Sequence, residues 1–143
     1  MGRYMAKSGL CPGLVLCSSA ARTRETLDIV IKELEREPKI KIEDRLYLAS
    51  AGQILRRLRE LPEKAEDVLL IGHNPGMHEL AFRLASGSQG GNPGEGPGKS
   101  LARLHQKFPT CALASYRIGA PWKSFEAGDV ELTAFVTPSD LED

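Results

Sequence analysis

The chain has 143 residues, 41% of them hydrophobic and 27% charged, which fits one domain with a core of its own. Lys plus Arg number 19 and Asp plus Glu number 19, so the charge balance argues against a nucleic-acid partner, while leaving room for a small basic pocket. No apolar run approaches the roughly 18 residues of a membrane span, the first residues lack an apolar signal core, and three unpatterned cysteines (Cys11, Cys17, Cys111) point to neither a disulfide framework nor a zinc site, so a cytoplasmic protein is expected.

In chain order, Gly13 to Cys17 is an apolar run of strand length, and Ser18 or Ser19 is the expected cap of the next helix. Leu27, Val30, Ile31 and Leu34 recur at helical spacing, which predicts a helix over 20–36 closed by Pro38. Lys39 to Ile42 reads as a short strand. Ile54, Leu55, Leu58 and Leu61 mark a second helix ended by Pro62. Val68 to Ile71 is continuously apolar, as expected of a strand covered on both faces. Met77, Leu80, Ala81 and Leu84 mark a third helix. Ser86 to Ser100 holds six glycines and two prolines and predicts a flexible surface loop. Strands are expected near Ala112 to Ile118 and Val130 to Val136, the second with Val130, Leu132, Ala134 and Val136 on one face. Strand–helix alternation of this kind predicts an α/β fold with helices on both faces of a mostly parallel sheet.

Ligands of such sheets gather beyond the carboxyl ends of the strands. Two strand ends carry suitable residues, in "LVLCSSAARTRET" and "LLIGHNPG". Both run from strand through a polar turn into a helix N-terminus, which favours anions. Arg22 falls in the first turn of its helix, where a cation opposes the helix dipole and a guanidinium fork can grip two phosphate oxygens. A local disadvantage of this sort marks a candidate functional residue. His73 lies between Gly72 and Gly76, which permit tight turns and close approach. His78 and His105 have no metal-type partners nearby in sequence and read as structural. Two near-misses fail on spacing. A C-x5-R phosphatase loop starting at Cys17 would need arginine where Thr23 stands. A P-loop ending at Gly98-Lys99-Ser100 would need glycine where Pro93 stands. Cys17 reads as a buried strand residue.

Taken together, these stretches resemble the histidine phosphatase superfamily, with its phosphoglycerate-mutase-like fold, and within it the SixA branch of phosphohistidine phosphatases. "CSSAARTRET" matches the branch's serine, arginine and threonine motif at Ser18, Arg22 and Thr26. "LLIGHNPGMHELA" matches its second-histidine motif. Asp44 to Ser50, Lys107 to Ala114 and Ala134 to Glu142 are similar to its later segments. The resemblance implies a three-layer α/β/α sandwich over residues 1–143. It also implies dephosphorylation of a protein phosphohistidine through a phosphohistidine intermediate on the enzyme. It makes Arg22 and His73 catalytic and Arg22, His73 and Ser18 phosphate-binding, and requires no metal or other cofactor. No general acid is assigned.

One part of the pattern is missing. The family opens with a central strand ending in Arg-His-Gly or Arg-His-Ala, which carries the nucleophilic histidine, and this sequence has no Arg-His pair. Met1 to Gly9 is similar to the end of the helix that follows that strand. The reading is therefore of a domain lacking its N-terminal strand, with about 30–40 residues of the pattern absent. Such a chain is expected to be inactive as it stands, and to be marginally stable or to self-associate over the gap. Two alternatives follow from the same residues. One is a non-catalytic remnant that binds phosphate or a phosphorylated protein, such as a histidine-phosphotransfer domain. The other is a phosphomonoesterase acting on a small phosphate ester. Short loops around most strands favour an open site and thus a protein substrate.

Overall fold

The computed structural model describes residues 1–86, 91–92 and 98–141. Helix α1 (Gly2–Lys7) leads into strand β1 (Leu14–Ser18), whose residues are all buried. Helix α2 (Ala21–Glu33), strand β2 (Lys39–Glu43), helix α3 (Ala51–Arg59), strand β3 (Val68–Ile71) and helix α4 (Gly76–Ala85) follow. The chain ends in helix α5 (Lys99–Gln106) and strands β4 (Leu113–Ile118) and β5 (Val130–Val136). β1 pairs in parallel with β2 on one edge and β3 on the other, while β4 and β5 form a separate antiparallel pair.

β1 is central because its side chains serve two cores. Val15 and Cys17 pack with Leu27 of α2 and Ile71, whereas Leu14 and Leu16 face Ile54, Leu55 and Leu58 of α3 and Leu80 and Leu84 of α4. α1 lies against α2, where a side chain at Gly2 would press on Val30 and Glu33. Helices thus cover both faces of a parallel sheet, as expected of this α/β class. α4 also joins the two sheets. Its Ala81 and Ala85 pack with Leu104, Leu132 and Phe135, and the Ala81 carbonyl accepts a hydrogen bond from the Tyr116 hydroxyl at 2.6 Å. Burial holds that phenol protonated to higher pH than usual.

Several elements differ from the sequence expectation. α2 ends at Glu33, because Leu34 turns extended well before Pro38. Its N-cap is Ala20 with no side-chain cap, so neither Ser18 nor Ser19 caps it. Lys99 and Ser100 belong to α5, which follows Gly98 in the left-handed conformation (φ 78°). Residues 87–90 and 93–97 of the expected loop lie outside the described residues. In β5 the expected inward alternation breaks. A bulge between Ser115 and Tyr116 pairs these with Ala134 and Leu132, leaving Thr133 as the extra residue. Beyond it the phase reverses, and Phe135 is buried while Ala134 is only half-buried. In β3 only Ile71 is buried, since the strand's second edge has no partner among the described residues.

That second edge and the edge of β4 that has no partner among the described residues border one groove of about 810 Å³. Leu70, Met77, Leu80, Leu84, Ala114 and Tyr116 are among its lining residues, and His73 is not.

The carboxyl end of β2 is tied down by Glu43, which accepts two hydrogen bonds from Arg57 at 2.7 and 2.8 Å. These bonds hold the Glu43 carboxyl below its ordinary range. The pair's contribution is therefore complete above the ordinary glutamate pKa and fades as pH falls through the lowered native value. Glu43→Gln is expected to lower stability by about 2 kcal/mol at neutral pH. Urea unfolding at pH 7 and pH 3 should show that deficit shrinking at the lower pH.

Candidate functional site

β1 and β3 are parallel neighbours, so their carboxyl ends lie side by side. β1 ends at Ser18. Two residues after β3 comes His73, whose Nε2 lies 2.7 Å from Ser18 Oγ. Residues 55 positions apart in sequence are thus in direct contact. Ser18 is fully buried and its Oγ also accepts the Ala20 N–H at 3.3 Å. Its own proton can go to Nε2, and in that orientation the neutral imidazole carries its proton on Nδ1. The Thr23 hydroxyl donates to the carbonyls of Ser18 (2.8 Å) and Ala20 (2.9 Å) and closes the turn between β1 and α2.

Arg22 is the second residue of α2. It is exposed, and among the described residues its guanidinium has no hydrogen-bond or ion-pair partner. The same helix end lacks a side-chain cap, so its backbone N–H groups remain available to an anion. Arg22 and the free helix end therefore both begin within four residues of the serine that holds His73.

The loop carrying His73 is clamped from two sides. Asn74 donates to the Phe108 carbonyl at 2.7 Å and accepts the His78 N–H at 3.2 Å. Gly76 meets the stretch leading into α3, where an added Cβ would overlap the Ala49 carbonyl oxygen. The close approach for which Gly76 is needed is thus between two backbones. Gly76→Ala is expected to destabilise the fold by about 3 kcal/mol, read as a lowered midpoint in denaturant, because neither backbone has a flexible atom to yield. Ser50, beside Ala49, starts α3 with a reciprocal capping box to Gln53.

His78 and His105 serve packing. His78 Nε2 lies 2.6 Å from the Leu104 carbonyl, and His105 stacks on Phe82 with ring centroids 4.6 Å apart. Cys17 is buried, and burial pushes its thiol pKa up, which disfavours a nucleophilic thiolate. Among the described residues no group of three or more His, Cys, Asp or Glu side chains would hold a metal, and no helix is long and apolar enough to cross a membrane.

Two neighbours of His73 were not singled out from sequence. Asn74 stands in the same motif, but its partner Phe108 is distant in sequence. Tyr47 stands edge-on to the His73 ring, with centroids 5.6 Å apart and planes at 69°. The pairing of β2 with β1, which sets Glu43 opposite Ser18, and the contact between Ala49 and Gly76 bring its segment to the site.

No family model matches the chain. Two uncharacterized proteins of Mycobacterium tuberculosis, MT1313 (strain CDC 1551 / Oshkosh) and Rv1276c (strain ATCC 25618 / H37Rv), are each 31% identical to it over 125 residues. Those residues take in 87% of this chain and 72% of each relative. ML1117 of Mycobacterium leprae, also uncharacterized, is 29% identical over 87% of this chain and 70% of its own. Among solved structures, the provisionally designated phosphohistidine phosphatase SixA of Nakamurella multipartitia superposes with a TM-score of 0.75 at 23% identity, covering 96% of this chain and 77% of that one. The corresponding Agrobacterium tumefaciens protein gives 0.73 at 24% identity, with coverage of 96% and 75%. The protein histidine phosphatase SixA complexed with tungstate gives 0.71 at 23% identity, with coverage of 99% and 78%. At these identities the likeness is one of fold.

Proposed function

We propose, for a chain that belongs to one family with MT1313 and Rv1276c and has the fold of the SixA histidine phosphatases, that its site binds the phosphoryl group of a phosphohistidine and serves its hydrolysis. The observation that carries the reading is the Ser18–His73 hydrogen bond beside an uncapped helix end bearing an unpaired Arg22. A phosphoryl group in transfer spreads negative charge over its equatorial oxygens, so positioning and positive electrostatics do most of the work. In this reading the Arg22 fork grips two oxygens, the first N–H groups of α2 face a third, and His73 donates from Nδ1. Ser18, fully buried, acts through His73 as a positioning residue. The SixA likeness favours a phosphorylated protein as substrate over a small ester.

The reaction needs a nucleophilic imidazole. Its nitrogen attacks phosphorus as the bond from phosphorus to the substrate imidazole breaks, and that leaving ring takes up a proton. Water then cleaves the new P–N bond and releases phosphate. We assign the nucleophile to a histidine outside these 143 residues, on a strand that pairs into the groove between β3 and β4. Residues 1–143 by themselves then form the phosphate-binding half of the site. Calorimetry of the chain with inorganic phosphate tests this half. Binding is expected, weakened on the order of tenfold in His73→Ala. Absent binding, or equal binding in both proteins, would refute the reading.

A further inference from the structure

Leu46 is buried at the end of a one-turn helix (Asp44–Leu46), and Ala49 is buried with its carbonyl against Gly76. Between these anchors Tyr47 and Leu48 project, 54% and 64% exposed. Leu48 adopts a left-handed backbone (φ 51°), a conformation unfavourable for leucine by roughly 1–2 kcal/mol. The surrounding contacts therefore fix this corner's shape, since a free chain would relax out of it. What the corner presents to the site is the Tyr47 ring, in edge contact with His73. Its hydroxyl has no hydrogen-bond partner among the described residues, so the ring is held without an anchor at its polar tip.

We infer that Tyr47 is a specificity-determining residue whose ring forms the aromatic wall for the group attached to the phosphoryl. The inference rests on the phosphoryl-binding reading of His73 and Arg22. With ring centroids 5.6 Å apart, a group bonded to a phosphoryl held at His73 can reach the Tyr47 ring. A planar, unsaturated group on phosphorus, such as an imidazole or phenyl ring, can stack on the exposed part of that ring or meet it edge to face. An aliphatic group of similar charge gains only apolar contact. The corner thus selects phosphorylated rings over phosphorylated alkyl groups.

The test uses the full chain and two non-hydrolysable probes, phenylphosphonate and methylphosphonate, with inorganic phosphate as a third titrant. Wild type is expected to bind phenylphosphonate about three- to tenfold more tightly than methylphosphonate. Tyr47→Phe should keep that ratio, and Tyr47→Ala should bring it close to one. Taking the ratio within each variant cancels any general change in the phosphoryl pocket. A wild-type chain that binds inorganic phosphate without preferring the aryl probe would overturn this inference alone, as would a preference that survives in Tyr47→Ala. A wild-type chain that binds none of the three overturns the phosphoryl-site reading and this inference together.

Discussion

A short apolar strand ending in Arg-His, joined ahead of Met1 by a flexible linker, is expected to raise hydrolysis of an aryl phosphate on the order of a thousandfold over the chain alone. The expectation starts from two sheet edges. β3 is paired only with β1 and β4 only with β5 among the described residues, and the groove of about 810 Å³ runs between them. Open edges present unpaired N–H and C=O groups, and a strand seated between two edges can pair with both. Apolar side chains line the groove, among them Leu70, Leu80, Leu84 and Ala114, so the incoming strand should be apolar on both faces. If it runs parallel to β3, its carboxyl end arrives at the lip where His73 contacts Ser18. There the added arginine supplies a second clamp and the added histidine the attacking nitrogen. The same strand ending in Arg-Ala should still raise the melting temperature and should give no turnover. Hydrolysis by the unextended chain at the rate of the extended one would rule out the proposed division of the site. Size-exclusion chromatography offers an independent reading, because a strand that fills the groove should also abolish any self-association of the chain.

Local patterns carried much of this structure. β1, β3 and β5 were legible as apolar runs, and Arg22 and His73 as polar residues where strands give way to helices. What escaped depends on pairing between distant residues. The β5 phase reverses because its partner supplies two residues opposite three of its own, which a single strand's alternation cannot reveal. α5 was hidden because its only evident helical pair, Leu101 and Leu104, follows directly on the glycine- and proline-rich stretch. Ser18 looked like a helix cap because serine before a helix usually is one. Its hydroxyl is instead held by a histidine on the adjacent strand's end. Tyr47 carried no motif of chemical weight, and becomes visible only once the β1–β2 pairing and the Ala49–Gly76 contact set its ring against His73. The parallel pairing of β1 and β3 is the one global fact that turns two separate strand ends into a single site.

Replacing Arg22 is expected to separate function from stability. Its guanidinium is exposed and has no hydrogen-bond or ion-pair partner among the described residues, so removing it deletes no native hydrogen bond or ion pair. It also removes a cation from the first turn of α2, where the helix dipole disfavours it, so Arg22→Ala should leave the melting temperature unchanged or slightly higher. Phosphate affinity should fall roughly thirtyfold, the effect of losing charge-assisted hydrogen bonds to a bound dianion. Arg22→Lys should recover only part of it, because an ammonium restores the charge but not the two-pronged geometry. Glu43→Gln is the opposite case, since that change weakens a largely buried ion pair and should lower stability while leaving the anion-binding groups themselves in place. Raising ionic strength should weaken wild-type binding more than binding by Arg22→Ala, as the exposed charge is the part most open to screening. Undiminished phosphate affinity in Arg22→Ala would remove the arginine from the site and leave His73 and the α2 amides as the only anion contacts. A fall in affinity accompanied by an equal fall in stability would instead make Arg22 a structural residue, at odds with its unpaired place on the surface.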